Sequence, residues 1–409
     1  MGYGRFILVL ALLHFFPLTA WGNDFRLMPS ISVKEEYNSN ILLSPNADSD
    51  SDFITTLSPG VRMSDQTARW STDLSVHLDQ LEYANDHLSS INQMYDGKFQ
   101  YQATPLLGIS AGAGYTRNSN PALTIDKTGF AIAAVPWVHV SSSLSANWQL
   151  TEKTAVSASY VYGDDYFESP GYAGDSSHDF SVDAIHDLTR YIPRLKARMN
   201  ATYGRYYFSG SVINNLTGTA GFSRDLTEIW SIQADAGIRR TWSEISVTQL
   251  SLLGYTIQNG QVVPVYKQVN EQIGNSGLGW VTDLSLDYKG ERGNADLTFV
   301  RSIIPAYGQL GAAERNYLTL DANYQFTSEL SAILTASYST SDSNPSEFSV
   351  NGIRQRFFQV QPGFRYEFSR DIAAVVSYGF TKVRDDIAGT EADRHLFSVS
   401  LNMRQSVLE

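Results

Sequence analysis

The sequence predicts an all-β chain: a transmembrane antiparallel β-barrel of about eighteen strands, with sixteen as the alternative count. Three observations predict it. Apolar and polar residues alternate with period two along most of the chain, the connections are alternately short and long, and aromatic residues gather toward segment ends.

Successive strand side chains point to opposite faces, so period-two alternation gives one apolar and one polar face. The first segment sets Phe25, Leu27, Pro29, Ile31 and Val33 against Arg26, Met28, Ser30, Ser32 and Lys34. The second sets Phe53, Leu57, Val61 and Met63 against Thr56, Ser58 and Arg62. The third sets Trp70, Leu74, Val76 and Leu78 against Arg69, Asp73, His77 and Asp79. The same reading places strands at 25–37, 53–65, 69–82, 90–103, 106–118, 132–149, 154–166, 178–189 and 194–208. It continues at 213–225, 229–245, 278–289, 293–305, 315–327, 330–342, 354–369, 372–386 and 394–406. The last of these alternates Phe397, Val399, Leu401 and Met403 with Ser398, Ser400, Asn402 and Arg404.

Connections after even-numbered segments are tight, as in "DQTA" at 65–68, "TEKT" at 151–154 and "SRD" at 369–371. Those after odd-numbered segments are long and polar: 38–52, 119–131, 167–177, 246–277 and 343–353. This asymmetry is that of bacterial outer-membrane barrels, with both termini in the periplasm and the long loops outside. Tyr37, Tyr83, Tyr115, Tyr162, Tyr324 and Tyr366 stand where interfacial girdles are expected. A soluble β-sandwich is disfavoured because the polar face carries too many charges and amides to pack on a second sheet.

Residues 1–22 read as a cleaved signal peptide: Arg5, the apolar run "FILVLALLHFF", then Ala20 and Gly22 before the cleavage point. Residues 23–409 form a single barrel domain in this reading, in the outer membrane of a Gram-negative cell. The run is shorter than the ~20 residues of an anchor helix, and no later stretch approaches that length. The chain has no cysteine, which excludes a lipoprotein anchor, disulfides, thiolate metal sites and c-type haem. The net charge of −12 argues against a nucleic-acid partner. No cofactor is implied, and the expected partner is outer-membrane lipid.

Pro29, Pro59, Pro136 and Pro362 share the apolar parity of their segments, which predicts lipid-facing bulges. Asp48, Asp50 and Asp52 match the first ligand positions of an EF-hand loop, but Phe53 replaces its glycine and Pro59 its closing glutamate. The stretch reads as a solvated acidic loop, with weak divalent-ion binding as the alternative. Ser75, His77 and Asp79 share one strand face; neighbours two apart splay and cannot form a triad, so no catalysis is expected.

The polar face is expected to line a lumen, which in a barrel of this size is an aqueous channel unless it is plugged. Its candidate pore-lining residues are Arg62, Asp73, Asp79, Lys98, Asp183, Asp187, Arg194, Lys196, Arg198, Arg239, Asp283 and Arg365. Asp179, Asp183 and Asp187 are expected to face Arg194, Lys196 and Arg198 across a hairpin as opposite-charge pairs. Asp283, Asp287, Asp296 and Asp321 suggest an acidic sector. Few aromatics carry the lumen parity: Trp137, Tyr206 and Phe357. In the longest loop, 246–277, Asn259-Gly260 signals a hairpin that either projects outward or constricts the pore.

Two stretches carry a family resemblance. They are "EEYNSNILLS" with "SDFITTLSPGVRMS", and "FVRSIIPAYGQLGAAERNYLTLDANYQFT". Both resemble the beta-barrel porin-2 family of outer-membrane proteins encoded with exopolysaccharide clusters. Leu57 stands where that family has isoleucine, and "PAYGQLG" departs from its small-residue loop. The resemblance implies a passive conduit for secreted polysaccharide, with polysaccharide and periplasmic export proteins as partners, and it supplies no catalytic residue. The competing expectations are a general diffusion porin and a structural sleeve around a partner protein.

Overall fold

A computed structural model describes residues 24–85, 88–119, 135–169, 172, 174–208, 211–258, 261–305, 311–343 and 352–405. The signal-peptide reading of residues 1–22 lies outside them. The first strands are β1 (Phe25–Asn38), β2 (Asp52–Gln66), β3 (Trp70–Tyr83), β4 (Ser90–Thr104), β5 (Leu107–Asn118) and β6 (Trp137–Thr151). Then come β7 (Thr154–Phe167), β8 (Asp175–Asp187), β9 (Leu195–Phe208), β10 (Ser211–Asp225), β11 (Trp230–Gln258) and β12 (Gln261–Lys289). The last are β13 (Gly293–Pro305), β14 (Ala312–Gln325), β15 (Leu330–Ser343), β16 (Ile353–Glu367), β17 (Ile372–Asp385) and β18 (Thr390–Arg404).

All eighteen form one antiparallel sheet, and β1 pairs with both β2 and β18, so the sheet closes on itself. Closure is what permits strands to span lipid, because it leaves no unpaired edge. The predicted parity is the observed one. Phe53, Leu57, Pro59 and Val61 of β2 are exposed on the outside, while Ile54, Thr56 and Ser58 between them are buried inside. Leu144, Trp148, Phe180, Val182 and Met199 continue the exposed apolar band. Tyr37 against Phe53, and Tyr95 against Tyr115, belong to a girdle near one end; Trp230 against Tyr288, and Tyr366 against Phe368, belong to a girdle near the other.

Four expectations are corrected. Tyr83 is no girdle residue: it packs inside the barrel with Ile41, Ile54 and Leu81, because β3 keeps its register to the end (Ile54 opposite Tyr83). Pro59 and Pro362 make no bulge. At each, pairing with one neighbour lapses and resumes in the same register: Leu57–Gln80 to Gly60–His77, and Val360–Phe380 to Gly363–Ser377. Proline lacks the N–H that would bridge to that neighbour, so the ladder skips two residue pairs without slipping. Pro136 simply precedes β6, the usual place for a strand proline.

Residues 246–277 are not a loop but the continuation of β11 and β12, paired from Ser246–Gln272 to Gln258–Gln261. These rungs bracket Asn259-Gly260, which themselves lie outside the described residues. The ladder between β10 and β11 ends at Val212–Glu244, and that between β12 and β13 at Thr282–Arg301. The hairpin therefore leaves the barrel wall, and exposed Leu253, Tyr255 and Val262 show that it projects into solvent. The loop asymmetry is also incomplete, since β9 and β10 are joined at the loop end by only residues 209–210.

Candidate functional site

The inner wall divides into two zones. Toward the end carrying the turns 67–69, 152–153 and 290–292, here the turn end, inward side chains are wet. Arg62 binds Asp73 through Nε–Oδ2 at 2.8 Å and Nη2–Oδ2 at 2.5 Å, with the arginine side chain 59% exposed. Asp73 stands opposite Lys98, which is 70% exposed and lies 3.9 Å from Asp96. Arg365 donates to Glu367 at 3.0 Å. Gln100, Gln102, Asn147, Gln149, Ser110 and Ser157 line a hollow of about 510 Å³ beside this cluster.

Toward the loop end the inner wall is dry all round. Thr56, Asn92, Asn118, Ser339, Thr381 and Arg394 are buried although their side chains carry the lumen parity. A mouth this dry in a ring of eighteen strands requires something inside it, and four apolar clusters supply it.

The first filler is the loop after β1. Leu43 packs on Phe357, Val383 and Ala392, and Ile41 packs on Ile54 and Leu81. Fully buried Asn40 holds the loop in shape. Its amide donates to the carbonyls of Ser44 (2.8 Å) and Asp393 (3.1 Å), and its oxygen accepts from Ser44 N–H. Asn46 and Asp393 exchange two further hydrogen bonds. Asp52 is part of this frame: its carboxylate accepts the backbone N–H groups of Phe53 and Asn85. Among the described residues no cluster of acidic or imidazole groups could hold a metal.

The second filler is the loop end of β13–β14. Ile303 and Ala312 have the lipid-facing parity of their strands, yet they are buried against Tyr206, Phe208 and Ile213, which face inward from β9 and β10. Ala313, of lumen parity, is buried with Trp137 and Phe167 of β6 and β7 and Ile353 of β16. One face of this hairpin therefore touches the inner wall on its own side, and the other touches the opposite wall. It lies inside the barrel. Small Gly311, Ala312 and Ala313 let the backbone pass between the two walls, and all three are buried.

Polar groups fix this position. Glu314 accepts from Arg239 of β11 and, at 2.7 Å, from Arg301, which also donates to Asn316 at 3.0 Å. Arg239 donates to Thr241 at 2.8 Å as well. Across the mouth Trp137 Nε1 donates to Asp165 at 2.7 Å, and His139 shares the same carboxylate oxygen at 2.8 Å. Burying one large apolar side chain is worth about 1.5–3 kcal/mol, whereas the attraction within a buried ion pair is largely offset by the desolvation of its charges. The apolar clusters therefore supply most of the cohesion, and the ion pairs set the orientation.

The structure scatters the predicted pore-lining set. Arg62, Asp73, Lys98, Lys196 and Arg365 lie in the wet zone, whereas Arg239 is 2% exposed and belongs to the seal. Arg194 lies in the 188–194 turn with a left-handed φ of 60°, below the wall and not on it. Asp79 accepts from Ser58 at 2.6 Å and contacts His77 at 2.8 Å, while Ser75 stands opposite Arg62, so no triad exists there. The expected charge ladder between β8 and β9 shrinks to one rung, Asp187 opposite Lys196. Asp183 meets Asn200, which donates at 2.7 Å, and Asp179 stands opposite Gly204 with Tyr206 OH at 3.3 Å. Arg198 reaches instead to Asp235 of β11 at 3.1 Å. The observed register sets Asn200 and Gly204 opposite Asp183 and Asp179, and Ile185 opposite Arg198, so only one charge pair meets. The acidic sector is real: Asp235 stands opposite Asp283, and Asp287, Asp296 and Asp321 form one row across β12, β13 and β14.

The residues missed by sequence reading are Glu314, Arg301, Ile303, Ala312 and Ala313. For Ala312, Ala313 and Glu314 the signal was the run "PAYGQLGAAERN", whose small residues between two strands suit a tightly packed hairpin.

No protein-family profile and no curated protein matches this chain. Among solved structures it is similar to OpdL of Pseudomonas aeruginosa, with a TM-score of 0.44 and 9% identity over 94% of this chain and 99% of that one. OprD of Pseudomonas aeruginosa gives 0.44 and 9% over 94% and 96%. The ferric-catecholate import receptor Fiu from E. coli K12 gives 0.48 and 8% over 94% and 82%.

Proposed function

We propose that this protein is an outer-membrane channel whose resting state is closed at the cell-surface mouth. The turn end faces the periplasm, and the cargo is a secreted polysaccharide. The observation that carries the closed state is the seal around the β13–β14 hairpin, with Ala312 and Ala313 fully buried between opposite walls. The wet zone at the turn end supports entry from the periplasm. Its neutral sector of Ser110, Ser143, Ser145, Ser157, Gln100 and Asn147 offers hydroxyls and amides without bulk, the chemistry a sugar chain can exchange hydrogen bonds with. The family resemblance supplies the cargo class. Trp137, Tyr206 and Phe357 give no stacking platform, because each is buried in the seal.

Two measurements test this. Deletion of the gene should lower surface polysaccharide while leaving the intracellular pool intact; an unchanged surface amount removes the cargo assignment. Purified barrel in a planar bilayer should be mostly silent. Steady ohmic current without any partner would favour the second reading, a general diffusion porin, for which the exposed Arg62–Asp73–Lys98 cluster would set ion preference.

A further inference from the structure

We infer that the loop-end arms of β13 and β14 are the moving part of the channel, held shut by a latch of Arg239, Glu314 and Arg301. This inference rests on the closed-channel reading above.

The strand ladders locate the hinge. Pairing between β12 and β13 ends at Thr282–Arg301, and pairing between β14 and β15 reaches no further than Glu314–Asp342. Beyond those rungs Ile303–Pro305 and Ala312–Glu314 pair with each other. Of these, Ile304 and Pro305 with Ala313 and Ala312 form a short two-stranded tip with no neighbour on either edge in the described ladders, and Glu314 is the residue that still ties it to β15. Such a ribbon is marginally stable alone and can bend as a unit without breaking the closed sheet below it.

The latch stands at that hinge. Arg301 is the last β13 residue paired to β12, and Glu314 is the last β14 residue paired to β15. Arg239 projects inward from β11, a wall the ribbon contacts only when it is folded in. Its bond to Glu314 draws the root of the ribbon inward and so holds the closed position. Arg301 can keep its carboxylate partner when the ribbon leaves, since both sit at the root, and its guanidinium lies 4.2 Å over the Trp280 ring as an anchor. The apolar contacts of Ile303, Ala312 and Ala313 with two walls resist opening, but they carry no directionality. The Arg239 contact makes the closed position specific, because separating it leaves a guanidinium in a dry wall.

The test is single-channel recording of the full-length barrel in planar bilayers, with heat-modifiable gel migration as the folding control. Glu314→Gln keeps the shape and removes the charge. It should raise open probability by about tenfold or more, the shift expected when a state loses one buried charge contact. Ile213→Cys with Ala312→Cys, joined by a short bifunctional thiol reagent, should abolish openings until the link is cleaved; the cysteine-free chain makes this pair unique. Ala313→Asp puts a carboxylate into the seal and should open the channel whatever the latch does. Conduction by Ala313→Asp, with Glu314→Gln and the cross-link both without effect, overturns the latch and leaves the channel standing. A folded Ala313→Asp barrel that never conducts overturns the channel reading and the latch with it.

Discussion

Arg239 of β11 and Glu314 of β14 form an ion pair inside the barrel although β12 and β13 lie between them in the wall. The pair can form only because the β13–β14 hairpin folds into the lumen behind β11. Gly279, directly opposite Arg239 on β12, makes room for it: a Cβ there would lie 2.7 Å from the guanidinium carbon. Gly279→Ala should therefore displace Arg239 and raise open probability in bilayer recordings, as latch removal does, while β11–β12 pairing survives. Wild-type gating in this variant would mean that Arg239 adapts without loss.

Trp137 fills the centre of the seal at 2% exposure. Trp137→Ala removes that volume and one of the two hydrogen-bond partners of the Asp165 carboxylate, and should cost about 3–5 kcal/mol of stability. Urea unfolding of the barrel in lipid vesicles measures it. A cost under about 1 kcal/mol would show that the seal contributes little to the fold.

Adjacent residues on β6 test the face assignment. Leu144 faces outward at the middle of the strand, and Ser143 faces the lumen. Leu144→Arg should destabilise the barrel by about 2–4 kcal/mol in the same assay, and Ser143→Arg far less. Equal costs would contradict the assigned parity.

Asn40 makes every hydrogen bond of its side chain within the loop after β1 or to β18. Asn40→Ala should loosen that loop from the mouth and expose residues 39–51 to proteases added outside intact cells. Digestion no faster than wild type would show that Ile41 and Leu43 suffice to dock it.

Glu168, just beyond β7, accepts Arg117 Nε at 2.9 Å and Arg117 Nη2 at 2.8 Å. These hydrogen bonds hold its carboxyl below the ordinary glutamate range, with partial burial opposing them. A lowered acid contributes stability that is complete above its unfolded pKa of about 4.3 and is lost as pH falls through the lower folded value. Thermal stability of the wild type should thus decline below about pH 4.3 more steeply than that of Glu168→Gln. Parallel profiles would remove Glu168 from the acid response.

Strand positions were legible because one face meets lipid and the other does not, so every strand repeats the same alternation. That rule reached even β13, read as 293–305 and observed as Gly293–Pro305. It failed where the solvent on the two faces changes. Ile303 and Ala312 obey the lipid-facing parity and yet touch no lipid, because their hairpin has left the wall. Tyr83 was read as a girdle residue because a tyrosine at a strand end fits that role, but its parity faces the seal. The charge pairs of β8 and β9 failed for another reason: pairing depends on a register set by the 188–194 turn, which composition does not encode.

The sequence by itself determined a closed antiparallel barrel with an apolar belt, since alternation, turn spacing and the backbone's need for hydrogen bonds in lipid leave few other solutions. Only the tertiary structure decided that the loop after β1 and the β13–β14 hairpin pack inside the loop end of the barrel, and that Arg239 and Glu314 meet. Those contacts join residues far apart in sequence, and their side chains follow the same local alternation as residues that face lipid or water. What distinguishes them is where the strand goes after it leaves its neighbour, which packing against the opposite wall sets and local pattern does not.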